Sequence, residues 1–221
     1  MSASRTRSGL ALAAAAAVLL AGSAAAAPPA KQAPVVITDI PSDANMINSQ
    51  ILVASPNNGV ATPVGSQPGF DIVSVTFANT LLTTVTGKGK KKKTVTECTG
   101  FTMAMKLSGP PADSGRFRMS ADTPTNTNFY IIEYDSGQKT SEIRYGGAGQ
   151  DEVHTLGTPV KVVGDTILFT ITAKDMKAIG DKPGDLITAM NATTTYSAQG
   201  LLYFPIFDKA PGGEASFKMC G

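Results

Sequence analysis

Val160-Lys161-Val162-Val163-Gly164-Asp165-Thr166-Ile167-Leu168-Phe169-Thr170-Ile171-Thr172 reads as two strands folded about Gly164-Asp165, a two-residue hairpin signal. In the second strand Ile167, Phe169 and Ile171 face one way, and Thr166, Thr170 and Thr172 the other. That alternation is the mark of a strand with one dry face. Lys174 to Ile179 follows as one or two turns of helix, stopped by Gly180 and Pro183, and is the only helical signal. Outward from here the same period of two returns. Phe101, Met103, Met105 and Leu107 alternate with Thr102, Ala104 and Lys106 inside a long run from Thr94. Gly100 sits where this alternation slips against Cys98, which predicts a β-bulge. Ile72, Val73, Val75 and Phe77 form another β-branched run, and residues 116–120 a short strand. Asn128 to Tyr134 is apolar on both faces and predicts a central buried strand, turning through Asp135-Ser136-Gly137 into Ser141 to Tyr145. Leu186 to Tyr196 and Leu201 to Phe207 supply the last strands. Residues 35–70 are rich in turns, with one strand expected at each end, the first at Val35-Val36-Ile37. Strands and helices do not alternate. The expected fold is therefore all-β, an antiparallel β-sandwich of jelly-roll-like kind with one short helix; a β-barrel is the alternative.

Composition agrees. Only 16% of the 221 residues are charged, against about 25% in a typical soluble chain. There are 22 Gly, 14 Pro and 25 Thr, a single His and no Trp. Helical bundles and coiled coils are excluded, as are collagen-like repeats and metal sites built from several histidines. The 42% hydrophobic content is enough for a true core.

Residues 1–27 read as a signal peptide. Arg5 and Arg7 give the positive start, Leu10 to Leu20 the short apolar run, and Ala24 to Ala27 the small residues of a cleavage site. Leu20-Ala21-Gly22-Ser23 carries Ser where a lipoprotein box has its lipid-bearing Cys, so no lipid anchor is expected there. The expected location is secreted, with residues 28–34 as a flexible leader and 35–221 as a single β-sandwich domain. Residues 1–27 hold two arginines and no acid, so 17 basic and 17 acidic side chains remain beyond them. This zero balance excludes a global pull toward nucleic acid. No other apolar run is long enough for a membrane span.

Cys98 and Cys220 are the only thiols. In an oxidising compartment an even pair is expected to form a disulfide, and two Cys with one distant His do not make a zinc set.

Enzyme signatures are missing: there is no Gly-x-Ser-x-Gly elbow, no phosphate-cradling loop and no His-Glu-x-x-His. His154, beside Asp151 and Glu152, reads as a surface imidazole in a polar loop. Glu133, Asp135 and Glu142 read as cross-strand partners of cations such as Arg144. Lys88-Gly89-Lys90-Lys91-Lys92-Lys93 lies between strand-like Leu81 to Thr86 and Thr94 to Glu97, at an expected hairpin tip. Lys88, Lys90, Lys91, Lys92 and Lys93 are either a grip for an anionic polymer or a solvated tip that blocks edge aggregation. No aromatic residue interleaves them, so base stacking is not expected. Asp39, Asp43, Asn45 and Asn48 recur at short intervals on a loop. Ca²⁺ needs about six to eight oxygens from such a loop, although Asp and Asn are also simply good turn residues.

Asp39-Ile40-Pro41-Ser42-Asp43-Ala44-Asn45, then Asn48-Ser49-Gln50, precede Gly69-Phe70-Asp71-Ile72-Val73-Ser74-Val75-Thr76-Phe77. This order resembles the DOMON-like and family-nine-type carbohydrate-binding modules of exported bacterial proteins. Residues 162–171, with Ile179-Gly180 and Pro183-Gly184-Asp185, are similar to their paired late strands and connecting helix. The resemblance spans residues 36–196. It implies a β-sandwich with structural Ca²⁺ near Asp39, Asp43 and Asn45, joined by Asp71. Departures are Ile40 before Pro41, Ser42 in place of a glycine, and the absence of a Trp on which a sugar ring would stack.

The functional expectation is a secreted, non-catalytic binding module for a carbohydrate or cell-wall polymer, its partner an extracellular glycan or other envelope polymer. The alternative is a secreted structural or protein-interaction domain. A hydrolase with an acidic pair in a cleft is the least favoured class.

Overall fold

The computed structural model describes residues 32–39, 68–88, 91–126, 129–146, 151–196 and 206–220. Among these, twelve strands and one helix run β1 (Val35–Thr38), β2 (Ile72–Thr86), β3 (Lys93–Leu107), β4 (Gly115–Asp122), β5 (Phe129–Asp135), β6 (Thr140–Gly146), β7 (Glu152–Thr155), β8 (Lys161–Val163), β9 (Thr166–Thr172), α1 (Ala173–Ala178), β10 (Leu186–Tyr196), β11 (Ile206–Pro211) and β12 (Phe217–Lys218). They form two antiparallel sheets, a β-sandwich and not a closed barrel. The first sheet has the order β1-β2-β3-β9-β8; the second has β11-β10-β4-β5-β6-β7, with β12 also paired to β10.

Side-chain alternation sets the register. Phe77, Met103 and Phe169 lie in one cross-strand row of the first sheet. Ala192, Met119, Ile132 and Ile143 lie in one row of the second. These rows belong to one buried apolar cluster between the sheets. Burying each large side chain contributes about 1.5 to 3 kcal/mol.

The expected hairpin at Gly164-Asp165 is present, with Gly164 at φ 60°. The expected bulge is present too. Thr80 pairs Gly100 while Leu81 pairs Cys98, leaving Thr99 as the extra residue. Gly100 has φ 138°, and a Cβ there would lie 2.0 Å from the Ile171 carbonyl oxygen. Only glycine allows β9 to approach so closely.

Several expectations need correction. His154 lies on β7, paired with Ile143, and not in a loop. β5 is central as expected, but it is not apolar on both faces. Tyr130 and Ile132 face the core, while Glu133 and Asp135 are buried on the opposite face against Arg118 and Arg116. The last strands also differ. β11 (Ile206–Pro211) overlaps the expected Leu201 to Phe207 at its end and continues past it to Pro211, and β12 was not anticipated. Residues 201–205 lie outside the described residues.

Candidate functional site

β2 and β3 are each 15 residues long, but their neighbours are short. β1 pairs β2 only from Ser74 to Phe77, and β9 pairs β3 only from Gly100 to Lys106. β9 ends because Thr172 caps α1: its hydroxyl accepts from the Asp175 amide, and the Asp175 side chain accepts from the Thr172 amide. Beyond the bulge, Leu81–Thr86 and Lys93–Cys98 pair only with each other among the described residues. Among the described residues, a two-stranded ribbon thus extends past the strands that flank it.

Both faces of this arm meet solvent. Leu82 and Val85 are 55% and 58% exposed. Thr83 and Thr96 share a hydroxyl–hydroxyl hydrogen bond of 3.2 Å across the strands. At the tip the Lys91 amide donates to the Lys88 carbonyl, and Gly87 turns the chain at φ 90°. Lys88, Lys91, Lys92 and Lys93 are all exposed, and no ion pair among the described residues neutralises them. Lys90 lies outside the described residues. Four ammonium groups therefore crowd one end of a narrow ribbon, where local potential is high although the net charge is small.

The base of the arm is fastened. Cys98 and Cys220 form the expected disulfide, 122 residues apart in sequence. Asn79, just below the arm on β2, donates to the Lys218 carbonyl and accepts from the Cys220 amide. Phe217 packs its ring against Phe77 and Phe101, with centroids 5.5 Å away from each. The C-terminal segment is thereby stitched under the ribbon.

The expected cation loop is brought together only in part. The Asp39 amide donates to the Val73 carbonyl, continuing the β1–β2 ladder. Asp71 is buried and accepts a hydrogen bond from the Ser108 hydroxyl. Asp208, which the sequence did not single out, accepts from the Ile72 amide at 2.5 Å, so it reaches the same strand start. Asp43 and Asn45 lie outside the described residues. Among the described residues no group of three or more His, Cys, Asp or Glu is arranged to hold a metal ion.

His154 does meet an acid: its Nε2 lies 2.8 Å from Asp175 Oδ1. The Thr172 hydroxyl donates to Asp175 Oδ2 at 2.6 Å, and the Gly157 amide to Oδ1 at 3.0 Å. In a nucleophile–base–acid relay the imidazole stands in the middle. Here the carboxylate does, and its oxygens are engaged in capping a helix. Burial raises the Asp175 pKa, but the hydrogen bonds from Thr172, His154 and Gly157 outweigh it and hold the carboxyl at about 2.

Several carboxylates on or beside the second sheet are matched to cations. Arg116 Nε lies 2.9 Å from Asp135 Oδ2, Arg118 Nε contacts Glu133, and Arg144 Nη2 lies 2.8 Å from Asp151 Oδ2. The Arg116 and Arg118 pairs cross from β4 to β5 as expected in kind, but Arg144 is not the partner of Glu133 or Asp135: it lies 3.8 Å from Glu142 on its own strand and reaches Asp151 just before β7.

A further titratable group was missed. Asp181, at the end of α1, is buried and accepts from the Thr123 hydroxyl and the Asn126 amide. Burial, with the charge of Asp185, pushes its carboxyl up to about 6 against the hydrogen bonds that oppose the shift. Among the described residues neither its Oδ2 nor the Tyr130 hydroxyl has a hydrogen-bond partner, yet the two lie close enough to perturb each other. No sequence pattern marks it, because Thr123, Asn126 and Tyr130 meet it only through the fold.

No helix among the described residues is long and apolar enough to cross a membrane. No protein-family model matches the chain, and neither a curated protein nor a solved structure matches it.

Proposed function

We propose that this protein is a secreted, non-catalytic binding module that attaches to an anionic carbohydrate or cell-wall polymer through the lysine tip of the β2–β3 arm. The observation that carries this reading is the set of exposed lysines, Lys88, Lys91, Lys92 and Lys93, without acidic partners among the described residues, at the end of a protruding ribbon. A polymer of repeating negative charge meets several ammonium groups at once there, and each contact displaces counterions. The likeness to exported carbohydrate-binding modules and the signal-peptide pattern support the location. The experiment is elution from immobilised heparin and polyphosphate over a salt gradient. The variant with Lys88, Lys91, Lys92 and Lys93 changed to Ser should elute at clearly lower salt with an unchanged melting temperature. Equal elution of the two proteins would end this reading.

Structural Ca²⁺ at Asp39, Asp43, Asn45 and Asp71 belongs to the same proposal. A native-state ligand raises the melting midpoint by mass action. A midpoint that is the same in Ca²⁺ and in chelator argues against it.

A protein-interaction role is the second reading. Exposed Leu82 and Val85 on the arm favour it. It expects capture of a protein partner that Leu82→Ser and Val85→Ser abolish, with heparin retention intact.

A further inference from the structure

An edge strand offers unpaired amides and carbonyls to any extended chain, and proteins usually blunt such edges with charge. Among the described residues nothing pairs with the outer edge of β3 between Lys93 and Cys98, because β9 joins β3 only from Gly100 onward. Its sequence is Lys93-Thr94-Val95-Thr96-Glu97. Around Val95 this segment is charge-complementary to its own reversal. Laid antiparallel on itself, with Val95 facing Val95, it sets Thr94 opposite Thr96 and Lys93 opposite Glu97.

Lysine alone at this edge would repel an identical strand. Glu97 at the mirrored position turns that repulsion into attraction, twice in a symmetric pair, since opposite charges directly across antiparallel strands are favourable. Lys93 and Glu97 are both exposed, and neither is in an ion pair among the described residues. The other edge of the arm, Leu81–Thr86, carries no charge and so contains nothing to select one register. The arm also projects beyond the sandwich, so a second arm reaches this edge without displacing β9 or β1.

We infer that the occupant of the β3 edge is a second copy of this chain, and that two arms pair antiparallel about Val95 into a four-stranded ribbon. The pairing uses the edge of the arm, and leaves Lys88, Lys91 and Lys92 free for another ligand. It does not depend on polymer binding.

The test is sedimentation of the full chain over a dilution series, without polymer. Unmodified protein should show a concentration-dependent monomer–dimer equilibrium. Lys93→Glu alone and Glu97→Lys alone each place like charges across the interface and should weaken dimerisation about tenfold or more. The double variant Lys93→Glu with Glu97→Lys should restore it. Lys88→Ser, Lys91→Ser and Lys92→Ser together should leave dimerisation unchanged while lowering heparin retention, which separates the two proposals. A protein that stays monomeric throughout, or single variants that dimerise as the unmodified chain does, would overturn the inference. Failure of the double swap to rescue would do the same.

Discussion

His154 Nε2 and Asp175 Oδ1 lie 2.8 Å apart, and this bond ties β7, at the edge of the second sheet, to the first turn of α1, which continues the first sheet. The contact spans the two layers at one end of the sandwich. Asp175 is also the acceptor for both donors of Thr172 and for the Gly157 amide, so one carboxylate holds three segments.

Replacing Asp175 with Ala should cost about 2 to 4 kcal/mol, because a cap is lost and buried amides go unpaired. The pH dependence has a definite sign. The folded-state carboxyl sits at about 2, below its ordinary value of 3.8. Its stabilisation is therefore full above the unfolded value and fades as pH falls toward about 2. Asp175→Asn should flatten the acid limb of stability over that window, as measured by urea midpoints. An unaltered limb would place the acid sensitivity elsewhere.

Asp181 behaves in the opposite sense. Its folded value is about 6 against an ordinary value of 3.8, so between them the folded state binds more protons than the unfolded state. Stability then falls as pH rises through that window, by about 2 to 3 kcal/mol in all. Asp181→Asn keeps an acceptor for Thr123 and Asn126 and removes the charge. It should raise the melting temperature several degrees near neutral pH and leave it unchanged near pH 4. A melting temperature lowered at neutral pH would show that the carboxylate form is the stabilising one.

The Cys98–Cys220 bond closes a loop of 122 residues. Chain entropy gives such a link about 4 to 5 kcal/mol. The paired Ser variant should lose most of that in guanidinium titration, and reductant should bring the unmodified protein to the same midpoint. Thiol alkylation of the native protein without reductant should label neither cysteine.

Gly100 and Gly164 both have positive φ, but they are not equivalent. A methyl at Gly164 meets nothing within 4 Å, so Gly164→Ala should cost about 1 to 2 kcal/mol from backbone strain alone. A methyl at Gly100 collides with the Ile171 carbonyl and must part β3 from β9. Gly100→Ala should cost several kcal/mol, or prevent folding. Similar melting temperatures for the two variants would mean that the bulge is not a fixed point of the sheet.

Strands with one dry face were legible because their alternation is local. Phe101 to Leu107 and Ile167 to Ile171 each write the period of two into a few residues. β7 was not legible. Glu152-Val153-His154-Thr155 has one apolar residue, and its strand character comes from pairing with β6 and from the Asp175 contact. The buried acids of β5 were hidden for a similar reason, since Glu133 and Asp135 are covered by arginines on another strand. The lysine tip was legible between two strand-like flanks. That its ribbon leaves the sandwich was not, because the point of departure is set by where β9 stops at the Thr172 cap.

A ribbon that departs at Thr99 and Gly100 carries no share of the apolar interior. Its amide protons exchange with solvent through small openings that two strands alone resist. Those of Met103 and Met105, a few residues along the same strand, wait for the entire molecule to unfold. One continuous β-strand thus joins fast and slow hydrogen exchange, and the cystine at Cys98 marks the frontier.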